Sequence, residues 1–313
     1  MSYFPAAFAY SIANAKGGEN VLFKTIRFKP RTGIIAAAAA VVMLIGTVLI
    51  KGAPAKPAAA EGVALPVIMY HGLLEDKSRQ NKYVISVDEF KSDLRYLKDN
   101  GYSTVVVQDL IDYVKKGSPL PDKPIMLTFD DGFYNNYVYA YPLMKEFDYK
   151  MVLCPVGSYT DTFTENGDKH VAYSYLNWTD IKEMSDSGRV EIQSHTYDLH
   201  AIDQSHKGSK KVSGETADQY RERLVEDLSK MQQETTQNIG RTPTAFAYPY
   251  GAISKEALPI LKELGFACTM TCESRTNTIT RDPECLFELG RYLRPHGVSS
   301  SRYFEKTVKL QSP

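Results

Sequence analysis

From Leu65 onward, short β-branched runs alternate with amphipathic helical stretches, and this alternation restricts the chain to a parallel α/β architecture. LPVIMY (Leu65 to Tyr70) reads as a strand. Ser86-Val87-Asp88-Glu89 is a capping box opening a helix that turns Phe90, Leu94 and Leu97 inward and closes at Gly101. STVVV (Ser103 to Val107) leads into a helix ending near Gly117, PIMLTF (Pro124 to Phe129) into one through Leu143 and Met144, and MVLCPV (Met151 to Val156) precedes one starting near Trp178. VEIQ (Val190 to Gln193), a polar helix from Thr216 to Asn238, TAFAY (Thr244 to Tyr248), a helix from Ser254 to Leu264 and FACTMT (Phe266 to Thr271) complete the series. Seven strands, mostly followed by helices, favour a closed or nearly closed β/α barrel over an open doubly wound sheet. No glycine-rich phosphate loop is present to suggest a nucleotide fold.

Ahead of this domain, Gly33 to Ile50 is an uncharged apolar run, long enough as a helix to cross a bilayer core of ~30 Å. Lys24, Arg27, Lys29 and Arg31 crowd its N-terminal side, so residues 1–32 are expected in the cytoplasm and everything after Lys51 outside. The expected organisation is a cytoplasmic segment 1–32, an anchor 33–50, an Ala/Pro-rich tether 51–64 and a catalytic domain 65–313. A cleaved, secreted form is the alternative, since Ala53-Pro54-Ala55 and Ala58-Ala59-Ala60 offer small-residue cleavage sites. Basic and acidic residues both number 37, which gives no net field for a polyanion, and no nucleic-acid or protein partner is expected. Cys154, Cys268, Cys272 and Cys285 form no metal or redox pair by spacing; one disulfide or buried free thiols both remain open.

Chemistry in such a barrel gathers where strands end. His71 follows the first strand; Asp130, Asp131 and Gly132 follow PIMLTF; His195, Asp198 and His200 follow VEIQ; Pro249, Tyr250 and Gly251 follow TAFAY. Each group alone has an ordinary reading as turn chemistry or a satisfied histidine, but their shared placement at strand ends points to one site. Two imidazoles and a carboxylate suit a catalytic metal with an open position, zinc first, with cobalt, nickel or iron acceptable to the same donors. Such a metal polarises a carbonyl and acidifies water.

TFDDGF (Thr128 to Phe133), SHTYDLH (Ser194 to His200) and AFAYPYG (Ala245 to Gly251) resemble the three leading motifs of the NodB-type polysaccharide deacetylases, and the resemblance covers about Leu65 to Thr271. It implies a distorted (β/α)7 barrel and metal-dependent removal of acetyl groups from N-acetylated sugars. By position, Asp130 is similar to the family's catalytic base, and Asp131, His195 and His200 to its metal ligands. The backbone N–H of Tyr250 is similar to the oxyanion donor. The four-residue gap between the histidines looks more like the branch acting on poly-N-acetylglucosamine. Two departures stand out. Ala247 occupies the position where most members carry an arginine that orients the base, and no late Leu-x-His motif is recognisable.

His71, aimed at the same mouth, is the expected general acid, in keeping with a histidine after a similar Met-Tyr in that branch. A structural role for His71, and His296 as donor instead, are the alternatives. Arg291, Arg294 and His296 in LGRYLRPHG are candidates to return to the mouth. Tyr134, Tyr137, Tyr139 and Tyr141 read as core or amphipathic surface before a sugar-stacking wall, and Trp178 as a core anchor at a helix start. The expected protein is a membrane-anchored, extracytoplasmic deacetylase acting on an N-acetylated glycan of a cell wall or exopolysaccharide. An O-acetyl esterase, a two-carboxylate glycoside hydrolase and a catalytically silent wall-binding module are the rival readings.

Overall fold

The computed structural model of the protein describes residues 62–203 and 206–310. The expected segment 1–32 and anchor 33–50 lie outside the described residues, among which no helix is long and apolar enough to cross a membrane. Val63 and Ala64, at the expected end of the tether, already belong to the fold: Val63–Leu65 pairs antiparallel with Asn277–Ile279.

Seven parallel strands form the ring. They are β1 (Val67–Tyr70), β2 (Pro124–Asp131), β3 (Met151–Pro155), β4 (Val190–Ile192), β5 (Ala245–Ala247), β6 (Cys268–Met270) and β7 (Tyr292–Leu293). Continuous pairing runs β7-β1-β2-β3-β4, and β5 pairs with β6. The two halves meet through single parallel bridges, Ser194 with Phe246 and Met270 with Leu289. The ring is therefore a distorted (β/α)7 barrel, tight on one side and thinly joined on the other.

One stave differs from expectation. STVVV contributes only Ser103–Thr104, paired with the start of β2 at Pro124 and Ile125, and the seventh stave is Tyr292–Leu293 instead. Capping overrides the β-branched run. The Asp109 carboxylate accepts the Val106 N–H at 2.9 Å and Glu191 accepts that of Gln108 at 3.0 Å, so a helix opens at Val107. Val105, Val106 and Val107 are buried all the same. Their apolar side chains are satisfied by packing and do not need a ladder.

The helices are α1 (Val87–Asp99), α2 (Val107–Lys116), α3 (Tyr141–Phe147), α4 (Gly157–Asn166), α5 (Trp178–Asp186), α6 (Ala217–Ile239) and α7 (Ala257–Glu263). The α1 capping box is complete: Glu89 N–H donates to Ser86 Oγ at 3.1 Å and Ser86 N–H to Glu89 Oε2 at 2.9 Å. Phe90, Leu94 and Leu97 are fully buried, as their spacing requires. Helix α4 was not foreseen; it intervenes between β3 and α5.

Strand alternation decides what the barrel holds. Along β2, Ile125, Leu127 and Phe129 pack outward with the helices, while Met126 joins the inner cluster with Val152, Cys154, Ala245, Ala247 and Cys268. Asp130 shares the parity of Met126 and Thr128, so it belongs to the interior end of the barrel. All four cysteines are free thiols.

Candidate active site

Asp130 and Asp131 end β2 and serve different ends. Asp130 is buried, and Arg291 grips it with two parallel bonds, Nη1 to Oδ1 at 2.7 Å and Nη2 to Oδ2 at 2.8 Å. The guanidinium, itself without solvent contact, also donates from Nε to the Thr271 carbonyl at 2.9 Å and from Nη1 to Thr128 Oγ1 at 3.3 Å. Burial pushes the Asp130 carboxyl up, but the Arg291 charge, joined by that of His195 once its ring is protonated in acid, outweighs it and holds it well below the usual carboxylate range. The arginine missing at Ala247 is thus replaced from Arg291, between the Leu289 bridge and β7. LGRYLRPHG was recognisable as a segment that could reach the mouth, but its partner was not.

Asp131 adopts a left-handed backbone (φ 69°), which turns its carboxylate away from that of Asp130. Gly132 follows with φ 80°, and a Cβ there would meet the Pro155 Cβ at 2.8 Å, so the tight turn needs glycine. Asp131 Oδ1 lies 3.6 Å from His195 Nε2 and 3.2 Å from His200 Nε2. Metal–ligand bonds of ~2.0–2.1 Å at tetrahedral angles place donors about 3.3 Å apart, so these separations fit one ion. His195 Nδ1 lies 2.7 Å from the Ala247 carbonyl; donating its proton there leaves the Nε2 lone pair facing the cluster. Burial lowers the His195 pKa to about 4 despite the neighbouring carboxylates, so the ring is neutral and ready to ligate at physiological pH. His200 Nδ1 meets the Tyr250 hydroxyl at 3.3 Å. Asp131, His195 and His200 together fit a divalent metal.

His71 is brought to the carboxylate pair, where its charge bears on both Asp130 and Asp131. Its Nδ1 is buried with no hydrogen-bond partner, and its ring lies 5.1 Å from that of Tyr83. Tyr250 holds a left-handed conformation (φ 58°) in the Pro249–Gly251 turn. A Cβ at Gly251 would press on Cys272 at 2.9 Å, which fixes the turn against its neighbour. His296 is engaged elsewhere, its Nδ1 2.7 Å from Glu89 Oε2 at the start of α1. Arg294 is likewise diverted, paired with the buried Asp93.

The mouth has an aromatic wall different from the one the sequence offered for consideration. Tyr159 and Tyr175 pack with ring centroids 4.6 Å apart, Tyr175 stacks on Phe133, and Tyr250 lies over His200 at 4.8 Å. The Asp131 charge reaches all three tyrosines, raising their hydroxyl pKa values after burial has done so. Tyr134, Tyr137, Tyr139 and Tyr141 instead pack on the helical core. Trp178 begins α5 and is nearly buried, with Nε1 donating to Asp161 at 2.7 Å. Tyr159 and Tyr175 carry no motif; only the unforeseen α4 and the loop before α5 bring them in.

Comparison with known proteins gives the same assignment. Residues 117–269 match the polysaccharide deacetylase family. The chain is 30% identical over 225 residues to the poly-beta-1,6-N-acetyl-D-glucosamine N-deacetylase of Escherichia coli (strain K12), covering 66% of this chain but 34% of that protein. The chain thus spans about a third of that relative's length. Among solved structures, a de-N-acetylase from Aggregatibacter actinomycetemcomitans superposes with TM-score 0.65 at 29% identity, covering 77% of this chain and 99% of that one. IcaB from Ammonifex degensii superposes with TM-score 0.61 at 29% identity, covering 75% and 93%. The motif loops that build the site, the ring of seven strands and these likenesses agree: the barrel is a NodB-type polysaccharide deacetylase domain.

Proposed function

We propose that the protein is a metal-dependent N-deacetylase that hydrolyses acetamido groups of an N-acetylglucosamine-containing glycan, releasing acetate. The observation that carries this reading is the Asp131, His195 and His200 cluster beside an Asp130 locked by Arg291. The poly-β-1,6-N-acetylglucosamine activity named for the Escherichia coli relative makes that polymer the first substrate to test.

Asp131, His195 and His200 would hold the metal, with zinc the first expectation and cobalt, nickel or iron compatible with the donors. When bound, the metal supplies Lewis acidity to the acetamide carbonyl and makes a water acidic enough to react near neutral pH. Asp130 would take the proton of the attacking water. Each of its oxygens gives one lone pair to Arg291 and keeps another for the proton, and the bidentate grip fixes where that lone pair points. The Tyr250 N–H meets the oxygen that gains charge as the carbonyl becomes tetrahedral. His71 gives a proton to the departing amine, which must be protonated as the C–N bond breaks. Tyr159, Tyr175 and Tyr250 offer apolar faces and hydroxyls to a sugar ring.

The apolar run 33–50 and its basic flank support a single-pass anchor with the domain outside the cell, and cleavage after Ala55 or Ala60 is the alternative. The experiment is acetate release from poly-β-1,6-N-acetylglucosamine oligomers, peptidoglycan and chitin oligomers, with and without a chelator. Chelator-resistant release, or cleavage of glycosidic bonds without acetate, would overturn the proposal.

A further inference from the structure

The two proposed histidine ligands are separated by Thr196, Tyr197, Asp198 and Leu199 in an irregular loop, and the structure shows what holds that loop. Asp227 lies on the buried side of α6, between Leu224, Leu228 and Met231. Its Oδ1 accepts the Tyr197 N–H at 2.8 Å and its Oδ2 the Asp198 N–H at 2.7 Å, while the Leu199 amide also faces it. Successive N–H groups wrapped on one carboxylate form a nest of the kind that binds anions, here occupied by a side chain of the same molecule.

The loop is gripped on its other side as well. The first two amides of α4 donate to it, Gly157 N–H to the Thr196 carbonyl at 3.1 Å and Ser158 N–H to the Tyr197 carbonyl at 2.7 Å. The Tyr197 hydroxyl donates to Asp161 at 2.7 Å, and Lys230 sits 3.8 Å from the centre of its ring. Gly157 is required for this approach, because a Cβ there would lie 2.5 Å from the Tyr197 ring. Within the clamp, β-branched Thr196 is forced to φ 77°. A left-handed β-branched residue persists only where its surroundings over-determine it.

We propose that Asp227 is a positioning residue that sets the distance between His195 and His200 and thereby the affinity of the metal site. The proposal rests on the metal-binding reading given above. It assigns to α6 a task that no motif of the chain signals: the helix organises the ligand loop before any ion arrives.

The test is Co2+ titration, read by its visible absorption, of the chelator-treated wild type and of Asp227→Asn. The amide keeps the side chain's size but sets its NH2 against one of the two backbone N–H groups. The expected result is a folded variant whose Co2+ affinity is lower by about 10–100-fold, the range for partners that orient metal ligands. Leu224→Val, on the same helix, should lower the melting temperature while leaving Co2+ affinity unchanged. Hydrogen exchange on the metal-free wild type tests the proposal without any variant: the Tyr197 and Asp198 amides should stay protected after chelation.

Wild-type Co2+ affinity in Asp227→Asn, or free exchange of both amides once the metal is removed, overturns the proposal. A wild-type protein that takes up no Co2+ overturns the deacetylase reading instead, so the two failures are distinguishable.

Discussion

Replacing Arg291 with methionine removes the guanidinium from a carboxylate that has no solvent to turn to. The Arg291 and Asp130 side chains are 0% and 2% exposed. Breaking a buried pair from one side costs about 3–5 kcal/mol, because a charge is left uncompensated. In the wild type His195 does not share the task of compensating Asp130 at neutral pH, its pKa being lowered to about 4, mainly by burial. The pH dependence follows from the signs. In the wild type the lowered Asp130 pKa contributes stability that is present above the unfolded value of ~3.9 and is lost as pH falls toward the folded value. In the variant burial acts without the guanidinium and raises the carboxyl. The deficit relative to wild type is then full at neutral pH and shrinks as pH falls through the raised value, where Asp130 takes a proton. Denaturant unfolding of chelator-treated proteins at pH 7.5 and 4.5 measures it. The double variant Asp130→Asn, Arg291→Met should recover roughly 2 kcal/mol or more, because no charge remains to be buried. Turnover of Arg291→Met with metal present should fall about 100-fold or more, the low end of what a positioned base contributes. A stability loss under about 1 kcal/mol, or one equal at both pH values, would refute the assignment of Arg291 as the group that holds Asp130.

Asp131→Asn should lose metal in elemental analysis while Asp130→Asn keeps it and loses turnover; equal metal loss in both would mean the two roles are wrongly divided. His71→Gln should severely cut amide hydrolysis yet spare an activated acetyl ester, whose leaving group needs no proton, and equal loss on both substrates would remove His71 from proton donation. On intact cells, external protease should release a soluble domain by cutting within residues 51–61, whereas a mature chain beginning after Ala55 or Ala60 would instead favour a cleaved signal.

What could be read in the sequence was what is local. The Ser86 capping box, the helix start at Thr216, the period of Phe90, Leu94 and Leu97, and the buried runs of β2 and β3 each depend on neighbours within a few residues, and each is found where expected. STVVV misled because β-branched residues report burial more reliably than strand pairing, and Asp109 with Glu191 offered its amides a helix start. The Asp, His and Tyr candidates were legible because strand ends collect in one place, and Asp130, Asp131, His71, His195, His200 and Tyr250 do meet there. Tyr159, Tyr175 and Asp227 were not legible as site residues, and Arg291 was legible only as a candidate to return to the mouth, without its partner Asp130. Their part depends on contacts across the ring, such as Arg291 reaching Asp130 over 161 positions, and no periodicity encodes such a distance.

That last separation also orders events during synthesis. Asp130 leaves the ribosome well before Arg291, and at ~5–20 residues per second the interval is roughly 8–30 s. The first stave of the ring waits too, because β7, which flanks it at Ile68 and Met69, is the last to be made. Until both arrive, the nascent chain has a barrel with a gap and an acid with no counter-charge. A ribosome stalled before residue 291 would therefore yield a chain carrying the Asp-Asp, His and Tyr motifs in full and still without the guanidinium that holds Asp130, so the proposed base is set in place only when synthesis has passed residue 291.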